Sequence, residues 1–208
     1  MKAKLWSRRD LIEKCVAAGL LGLASPLRGS AAALWLEAQL HPTPRSEMGP
    51  FYKKQAPSTG ALRTPGDAGM PLLVSGRVID TRGEALQDAV VEVWHADHFG
   101  HYDNVGYRFR GKLPVTGAGE YRFESVIPGH YPGRVAQHVH YRVEAPGHQP
   151  LVTQLYFGTD PVFEGDPDKY FSKDPLVTSR ELVRPVTLRS DTGSVQAAVV
   201  FELCLERA

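Results

Sequence analysis

The chain has 208 residues, enough for one compact domain and little more. Its 24 Lys and Arg nearly balance its 23 Asp and Glu, and no basic stripe marks a nucleic-acid-binding surface, so we expect no nucleic-acid partner. The 20 Gly and 16 Pro argue against a protein built of long helices and indicate short strands joined by many turns.

The first 33 residues contain the parts of an export signal in their usual order. Basic residues lie within positions 2–9, an apolar run follows at 15–27, and small residues at 30–33 offer a cleavage site. Ser7-Arg8-Arg9-Asp10-Leu11-Ile12 resembles a twin-arginine signal, which the twin-arginine export machinery reads. The apolar run is too short for a stable membrane anchor. We therefore predict a signal peptide over residues 1–33 and a periplasmic or extracellular location, with an N-terminal amphipathic helix as the alternative.

Residues 34–70 have little hydrophobic periodicity and many prolines, which predicts an extended arm wrapping a domain formed by residues 71–208. Within that domain, apolar and polar residues alternate in short runs between turns. Strands are predicted at 73–80, 89–94, 120–124, 138–144, 152–157 and 195–205. The pattern predicts an all-β fold, an antiparallel β-sandwich, with long loops at 95–119 and 158–190 where function tends to reside.

Two histidines on the strand predicted at 138–144 are the first candidate metal ligands. His138 and His140 are two residues apart, so their side chains point to the same face of the strand and can bind one ion. Imidazole suits iron, zinc, copper and nickel alike, so the pair does not identify the metal. Tyr131 lies in the preceding Pro- and Gly-rich loop, which can direct its phenol toward the same ion; the alternative is an aromatic side chain covering the core.

A second group of candidate ligands follows the strand predicted at 89–94. The group consists of His95, Asp97, His98 and His101. From local chemistry alone these residues are better ligands than the neighbouring Tyr102, and with the histidine pair they would form a two-histidine, one-carboxylate Fe(II) site or a zinc site. The residues by themselves therefore leave the composition of the metal site open.

The order and spacing of four segments resemble those of the intradiol ring-cleavage dioxygenases, the enzymes that open catechol and protocatechuate rings. The segments are residues 91–102, Pro128-Gly129-His130-Tyr131-Pro132, His138-Val139-His140 and Gln154-Leu155-Tyr156-Phe157. Gly49-Pro50-Phe51-Tyr52 also resembles the family's Glu-Gly-Pro-x-Tyr segment, so that the resemblance covers residues 45–160. It implies a prealbumin-like β-sandwich.

The resemblance further implies a set of four residues that hold a ferric ion. They are Tyr102, Tyr131, His138 and His140. The set is chemically coherent because Fe(III) is a hard cation that favours anionic oxygen donors, and because its charge drives bound phenols to ionise. The remaining histidines of the two segments would then lie outside the group of ligands.

The substrates that the resemblance implies are a small aromatic diol and O2. The ring would be cleaved between its two hydroxyl-bearing carbons to give a cis,cis-muconate-type diacid. Tyr131 is then expected to take up a substrate proton, and Arg134 or Gln137 to stabilise charge on the ring. Phe51, Tyr52 and Arg134 are expected to contact the substrate.

Two departures from the family pattern affect the substrate pocket. Arg134 lies four residues before His138, where the family usually has Arg three residues before the first histidine. Met48 stands where the family usually has Glu before Gly-Pro. Whether Arg134 reaches the substrate, and which of catechol, protocatechuate, hydroxyquinol or a halogenated catechol is accepted, therefore depends on the folded structure.

Two further hypotheses belong to other functional classes. Residues 74–86 also resemble prealbumin-like domains that bind sugars or partner proteins, which predicts a binding module without catalysis. The histidine–aspartate site predicts a different metalloenzyme.

Overall fold

The computed structural model describes residues 40–191 and 194–208, and within them almost all regular structure is β. The strands are β1 Pro71–Asp80, β2 Val90–Trp94, β3 Arg110–Leu113, β4 Glu120–Val126, β5 His138–Glu144, β6 Leu151–Phe157, β7 Val183–Arg184, β8 Thr187–Asp191, β9 Ser194–Val200 and β10 Leu203–Leu205. The helical segments are a short helix α1, Pro167–Tyr170, and the 3₁₀ turns Pro161–Phe163, Phe171–Lys173 and Arg180–Leu182. The predicted signal peptide lies outside the described residues.

The strands form two five-stranded sheets. One has the order β10-β1-β9-β8, with β4 on the free side of β1, and the other has the order β3-β2-β5-β6-β7. The predicted all-β sandwich is confirmed. Both sheets are mixed, because β1 pairs in parallel with β9 and β10 and β6 pairs in parallel with β7.

The single strand predicted at 195–205 is interrupted at residues 201–202. The two halves keep one register with β1, since Leu72 pairs with Ala197 and Val78 pairs with Leu203. The interruption lies over Gly76, where the Phe201 carbonyl oxygen is 1.9 Å from the position that a β-carbon would take. A side chain at residue 76 would therefore displace the strand.

The core lies between the two sheets. Tyr141 of β5 packs against Tyr121 and Phe123 of β4, with ring centroids 6.1 and 6.4 Å apart, and against Phe201 at 5.2 Å. β5 is buried along most of its length because its two faces are both covered. One face carries Val139, Tyr141 and Val143 into the core, so the alternate residues His138 and His140 face the opposite side.

The described part of the arm, residues 40–70, contains turns and isolated bridges but no strand or helix, and it is bonded to both sheets. The Ser46 N–H donates to the Val152 carbonyl at 2.9 Å, and the Gln154 side-chain amide donates to the Glu47 carbonyl at 2.7 Å. Further along, the Glu124 N–H donates to the Gly60 carbonyl at 2.7 Å. These bonds bring the Gly49–Tyr52 segment across the end of β5 and β6.

The two long loops predicted from the sequence contain more structure than expected. Residues 95–119 include β3, which pairs antiparallel with β2, and residues 158–190 include β7, β8 and the helical turns. β3 has the sequence Arg-Gly-Lys-Leu, in which no alternation of apolar and polar residues marks a strand. Among the described residues, no helix is long and apolar enough to cross a membrane.

Candidate metal centre and substrate cavity

The two histidines of β5 lie side by side in the interior. His138 and His140 are 2% and 1% exposed, and their ring centroids are 4.8 Å apart. His138 Nδ1 lies 2.8 Å from the Ala136 carbonyl oxygen. Because a carbonyl only accepts, Nδ1 carries the proton and the lone pair of His138 is on Nε2.

Two tyrosines from separate loops bring their hydroxyl groups to this lone pair. Tyr102 Oη is 3.5 Å and Tyr131 Oη is 3.3 Å from His138 Nε2, and the two phenol rings are 5.5 Å apart in an edge-to-face arrangement. The structure therefore brings together all four predicted ligands, two oxygens and two nitrogens, around one point.

Close contact between two loops accounts for the convergence of the tyrosines. Gly100, with φ of +84°, has the His130 carbonyl oxygen 2.0 Å from where a β-carbon would be, and Gly129 has the His98 carbonyl oxygen at 2.2 Å. Glycine is required at both positions because any side chain would force the loops apart. The loop that carries Tyr102 thus packs backbone to backbone on the loop that carries Tyr131.

His140 is buried, and neither of its ring nitrogens makes a hydrogen bond of normal geometry among the described residues. The Glu47 carbonyl lies close enough to oppose the lowering of the His140 pKa, and the ring stacks on Trp94 with centroids 4.9 Å apart. Gly49 of the arm covers the imidazole, and a β-carbon there would lie 3.2 Å from His140 Cε1. An imidazole buried without partners is costly, which is expected of a group whose partner is a bound metal ion.

Burial disfavours the charged forms of three side chains at this site. It lowers the pKa of His138 to about 3, with the positive charge of Arg134 adding to the effect, and holds the pKa of His140 well below its usual value. It also raises the pKa of Tyr102, with the neighbouring Tyr131 adding to the effect. A cation bound here would meet imidazole lone pairs directly and would offset the cost of ionising Tyr102.

The alternative site based on His95 and Asp97 is not assembled. Both ring nitrogens of His95 have partners, the Ala96 carbonyl oxygen and Ser125 Oγ, each at 2.7 Å. The Asp97 carboxylate accepts from the Phe99 and His101 backbone N–H groups. Across residues 40–191 and 194–208, no group of three or more His, Cys, Asp or Glu is arranged to hold a metal, so any site at His138 and His140 needs the tyrosines.

A cavity of about 300 Å³ opens beside Tyr131. Its wall consists of Glu47, Gly49, Pro50, Phe51, Tyr131, Pro132, Gly133, Arg134 and Leu176. A larger cavity of about 560 Å³ lies against β1 and β4 and includes none of the four converging residues, so size alone does not mark the reactive site.

The predicted substrate-contacting residues separate into two groups at this cavity. Phe51 and Arg134 are in its wall, and Phe51 stacks on Tyr102 with centroids 4.1 Å apart. Tyr52 is not in the wall, because its hydroxyl donates to Glu92 Oε2 at 2.9 Å. Gln137 is not in the wall either, and its backbone N–H donates to Asp160 Oδ2 at 2.7 Å.

Arg134 reaches the cavity in spite of its shifted position in the sequence. Its Nη2 donates to Gln154 Oε1 at 2.8 Å and to Tyr156 Oη at 3.0 Å, and its Nε lies 3.4 Å from Asp174 Oδ2. The Gln-Leu-Tyr-Phe segment that contributed to the family resemblance is therefore the segment that holds this guanidinium.

Comparison with known proteins agrees with this geometry. The family model described as Dioxygenase matches residues 48–207, which is most of the chain and includes all four converging residues. The chain belongs to the intradiol ring-cleavage dioxygenase family.

Individual members of the intradiol dioxygenase family are moderately similar to the chain. It is 33% identical over 160 residues to catechol 1,2-dioxygenase 2 of Acinetobacter lwoffii. The alignment covers 65% of this chain and 58% of that protein. It is 32% identical over 191 residues to chlorocatechol 1,2-dioxygenase of Rhodococcus opacus, covering 76% and 70%. The chain thus spans less than two thirds of the length of the first of these relatives.

A solved structure with the same fold is the dioxygenase domain of a dioxygenase–carbohydrate-binding protein fusion from Streptomyces sp. SirexAA-E. It is 32% identical, with a TM-score of 0.68, and the match covers 81% of this chain and 100% of that one. The intradiol dioxygenase family is iron-dependent. The site fits that metal, because it offers two phenol oxygens to a hard cation and contains a buried imidazole, His140, without another partner.

Sequence reasoning missed one residue that shapes the intradiol dioxygenase site. Arg110 of β3 is buried, and it donates to the backbone carbonyls of Phe51 and Asp103 while its guanidinium lies 5.8 Å from the Tyr102 ring centroid. It therefore ties the arm to the loop that carries Tyr102. No sequence signal identifies it, since β3 itself shows no strand pattern.

Proposed function

We propose that this protein is a ferric dioxygenase that cleaves a catechol-type ring between its two hydroxyl-bearing carbons, with O2 as the second substrate. The observation that carries the proposal is the convergence of Tyr102, Tyr131, His138 and His140 at the edge of a cavity that Arg134 lines. The names of the relatives, catechol and chlorocatechol 1,2-dioxygenase, support the same reaction class.

A bound ferric ion would supply the Lewis acidity that lowers the pKa of catechol hydroxyls and makes the ring reactive toward O2. The two tyrosines have different tasks beside it. Tyr131 is in the cavity wall, so its oxygen, which would be ionised when the metal is bound, is placed to take the proton of a substrate hydroxyl and become a neutral phenol. Tyr102 is not in that wall; it is held between the Phe51 ring and the Arg110 guanidinium and stays with the histidines.

The cavity wall provides recognition for one aromatic ring. Phe51 and Leu176 offer apolar surface, and about 300 Å³ is at the lower end of the volumes of small-molecule sites. The Arg134 guanidinium is placed to stabilise negative charge on a ring oxygen, a task for which Gln137 is less well placed. The product is the corresponding cis,cis-muconate-type diacid, which contains both atoms of O2.

The test is to load the purified chain with iron, record its visible spectrum, and assay catechol, protocatechuate, hydroxyquinol and chlorocatechol under O2. We expect an intense tyrosinate-to-iron charge-transfer band and loss of at least one catechol with formation of its ring-opened diacid. A colourless iron-loaded protein would overturn the proposal. If Tyr102→Phe and His138→Ala left iron content unchanged, a binding module without catalysis would replace it.

We also propose export through the twin-arginine machinery, supported by the Arg8-Arg9 pair and the apolar run that follows it. The conservative double substitution Arg8→Lys, Arg9→Lys keeps the charge of the segment. It is expected to leave the protein in the cytoplasm, whereas the unchanged chain is recovered outside it. Cell fractionation with a cytoplasmic marker checks this, and unchanged export of the double variant would contradict it.

A further inference from the structure

The segment of residues 130–137 has little structure of its own, although it precedes His138 directly and carries four residues of the cavity wall, among them Tyr131 and Arg134. Its internal bonding is one bridge between Tyr131 and Arg134, with the Arg134 N–H donating to the Tyr131 carbonyl at 3.1 Å. Gly133, with φ of +87°, lies inside this turn. The positions of the Tyr131 and Arg134 side chains are therefore set by contacts from outside the segment.

Asp160 bonds to both ends of that segment. Its Oδ1 lies 2.9 Å from His130 Nε2, and its Oδ2 accepts from the Gln137 N–H at 2.7 Å. The same carboxylate accepts from the Val162 N–H at 3.0 Å, which fixes it to its own turn. Asp160 is fully buried, so it holds the beginning and the end of the segment that contains Tyr131.

Asp174 bonds to the middle of the segment. Its Oδ2 accepts from the Ala136 N–H at 3.0 Å and lies 3.4 Å from Arg134 Nε, while its Oδ1 accepts from the Leu176 N–H at 2.9 Å. Leu176 is itself in the cavity wall. This second buried carboxylate therefore connects the Arg134 guanidinium to the opposite side of the cavity.

A buried carboxylate is costly unless its oxygens are well bonded. The oxygens of both Asp160 and Asp174 are well bonded, and many of these bonds are to residues 130–137. The two aspartates come from the same stretch of chain, residues 158–176, which follows β6. We propose that Asp160 and Asp174 are positioning residues of the dioxygenase site, Asp160 for Tyr131 and Asp174 for Arg134. The inference rests on the proposed function.

The two roles predict two different defects. Asp160→Asn is expected to shift the tyrosinate-to-iron band of the resting protein and to lower kcat by about 10- to 100-fold, because Tyr131 is turned away from its position. Asp174→Asn is expected to leave the band and the iron content unchanged and to raise KM for the catechol by about 10-fold, because the amide oxygen can still accept from the Ala136 N–H whereas the Arg134 guanidinium loses its charged partner. A general loss of stability would not separate the spectrum from KM in this way.

Asp168→Asn is the matched control in the same stretch of chain. Its side chain is 82% exposed, with Oδ1 2.6 Å from Arg180 Nε, and the variant is expected to match the unchanged protein in band, kcat and KM. His130→Ala is a second test of the Asp160 contact, since it removes a half-exposed partner and leaves the buried carboxylate in place. It is expected to shift the band in the same direction as Asp160→Asn.

The proposal is overturned if both aspartate variants, folded and iron-loaded, keep the original band and kinetic constants, or if both show the same change. If an asparagine variant does not fold, His130→Ala decides for Asp160. Asp174→Glu, which keeps the charge and moves it by one methylene, then decides for Asp174 through KM. Failure of the proposed function is recognised separately, because the unchanged protein would then lack the band itself.

Discussion

Two histidine-rich segments of this chain have similar compositions and different roles. In residues 95–102, His95 has both ring nitrogens bonded within the protein, while His98 and His101 are exposed, so only Tyr102 lies at the candidate metal centre. In residues 130–140, His138 and His140 are buried with a nitrogen free to bind an ion. A free ring nitrogen in the interior, and not the density of histidines, therefore distinguishes the candidate ligands.

The largest expected difference between the segments is in iron binding. His140→Ala should reduce the iron affinity by more than about 100-fold, beyond the 10- to 100-fold that changes around a ligand typically cost. His95→Ala should keep the iron and instead lower the free energy of unfolding by about 1–3 kcal/mol, because Ser125 loses its buried partner. Iron per chain after dialysis against a chelator, with thermal unfolding alongside, checks both. Loss of iron from His95→Ala would contradict the different roles that we assign to the two segments.

Each segment also contributes one tyrosine, and the two should not be equivalent. Tyr131→Phe is expected to bind iron but to lower kcat by about 10²- to 10⁴-fold, since the group that takes the substrate proton is removed. Tyr102→Phe is expected to lose iron more readily, because Tyr102 lies outside the cavity wall and would hold the ion throughout the reaction. Single-turnover kinetics with catechol and metal analysis distinguish the two. Equal loss of iron in both variants would show that Tyr131 serves only as a ligand.

The two segments also differ in how well their candidate ligands can be predicted from the sequence. The His138 and His140 pair could be predicted because the two-residue period of a strand is a local property. Tyr102 could not be predicted from its neighbours, since the partner that occupies His95 is Ser125, thirty residues along the chain on another strand. Only the family resemblance predicted Tyr102 at the site, since the residue types within 91–103 alone favoured His95, Asp97, His98 and His101 as ligands.

The strands of the sandwich were predictable where apolar and polar residues alternate. They were missed where a strand forms only because it pairs with a neighbouring strand. β3 forms because it lies against β2, and its residue Arg110 acts through backbone carbonyls that no sequence pattern reveals. The same applies to Asp160 and Asp174, whose partners lie 23 to 40 residues away in the chain. Long-range polar contacts of this kind hold the site together, and they depend on the completed fold.

His95 of the first segment should also make the free energy of unfolding depend on pH. Burial lowers the pKa of His95 from 6.5 to about 4, so the unfolded chain takes up the proton first as the pH falls. The stability that neutral His95 contributes is complete above pH 6.5 and is lost toward pH 4, by about 3 kcal/mol. Urea unfolding of the original chain and of His95→Gln from pH 7 to pH 4 checks this. Parallel pH profiles for the two proteins would contradict it.

The smallest effect is expected at His101, next to the ligand Tyr102. Its side chain is 79% exposed, and its ring nitrogen is 3.8 Å from the Asp97 carboxylate. His101→Ala removes only this surface contact, whereas the bond from the His101 backbone N–H to Asp97 at 2.8 Å remains and keeps the loop in place. The free energy of unfolding should change by no more than about 0.5 kcal/mol, with iron content unaffected. A loss of iron like that of His140→Ala would mean that the exposed imidazole turns inward when the metal binds, and the first segment would then contribute a histidine as well as Tyr102.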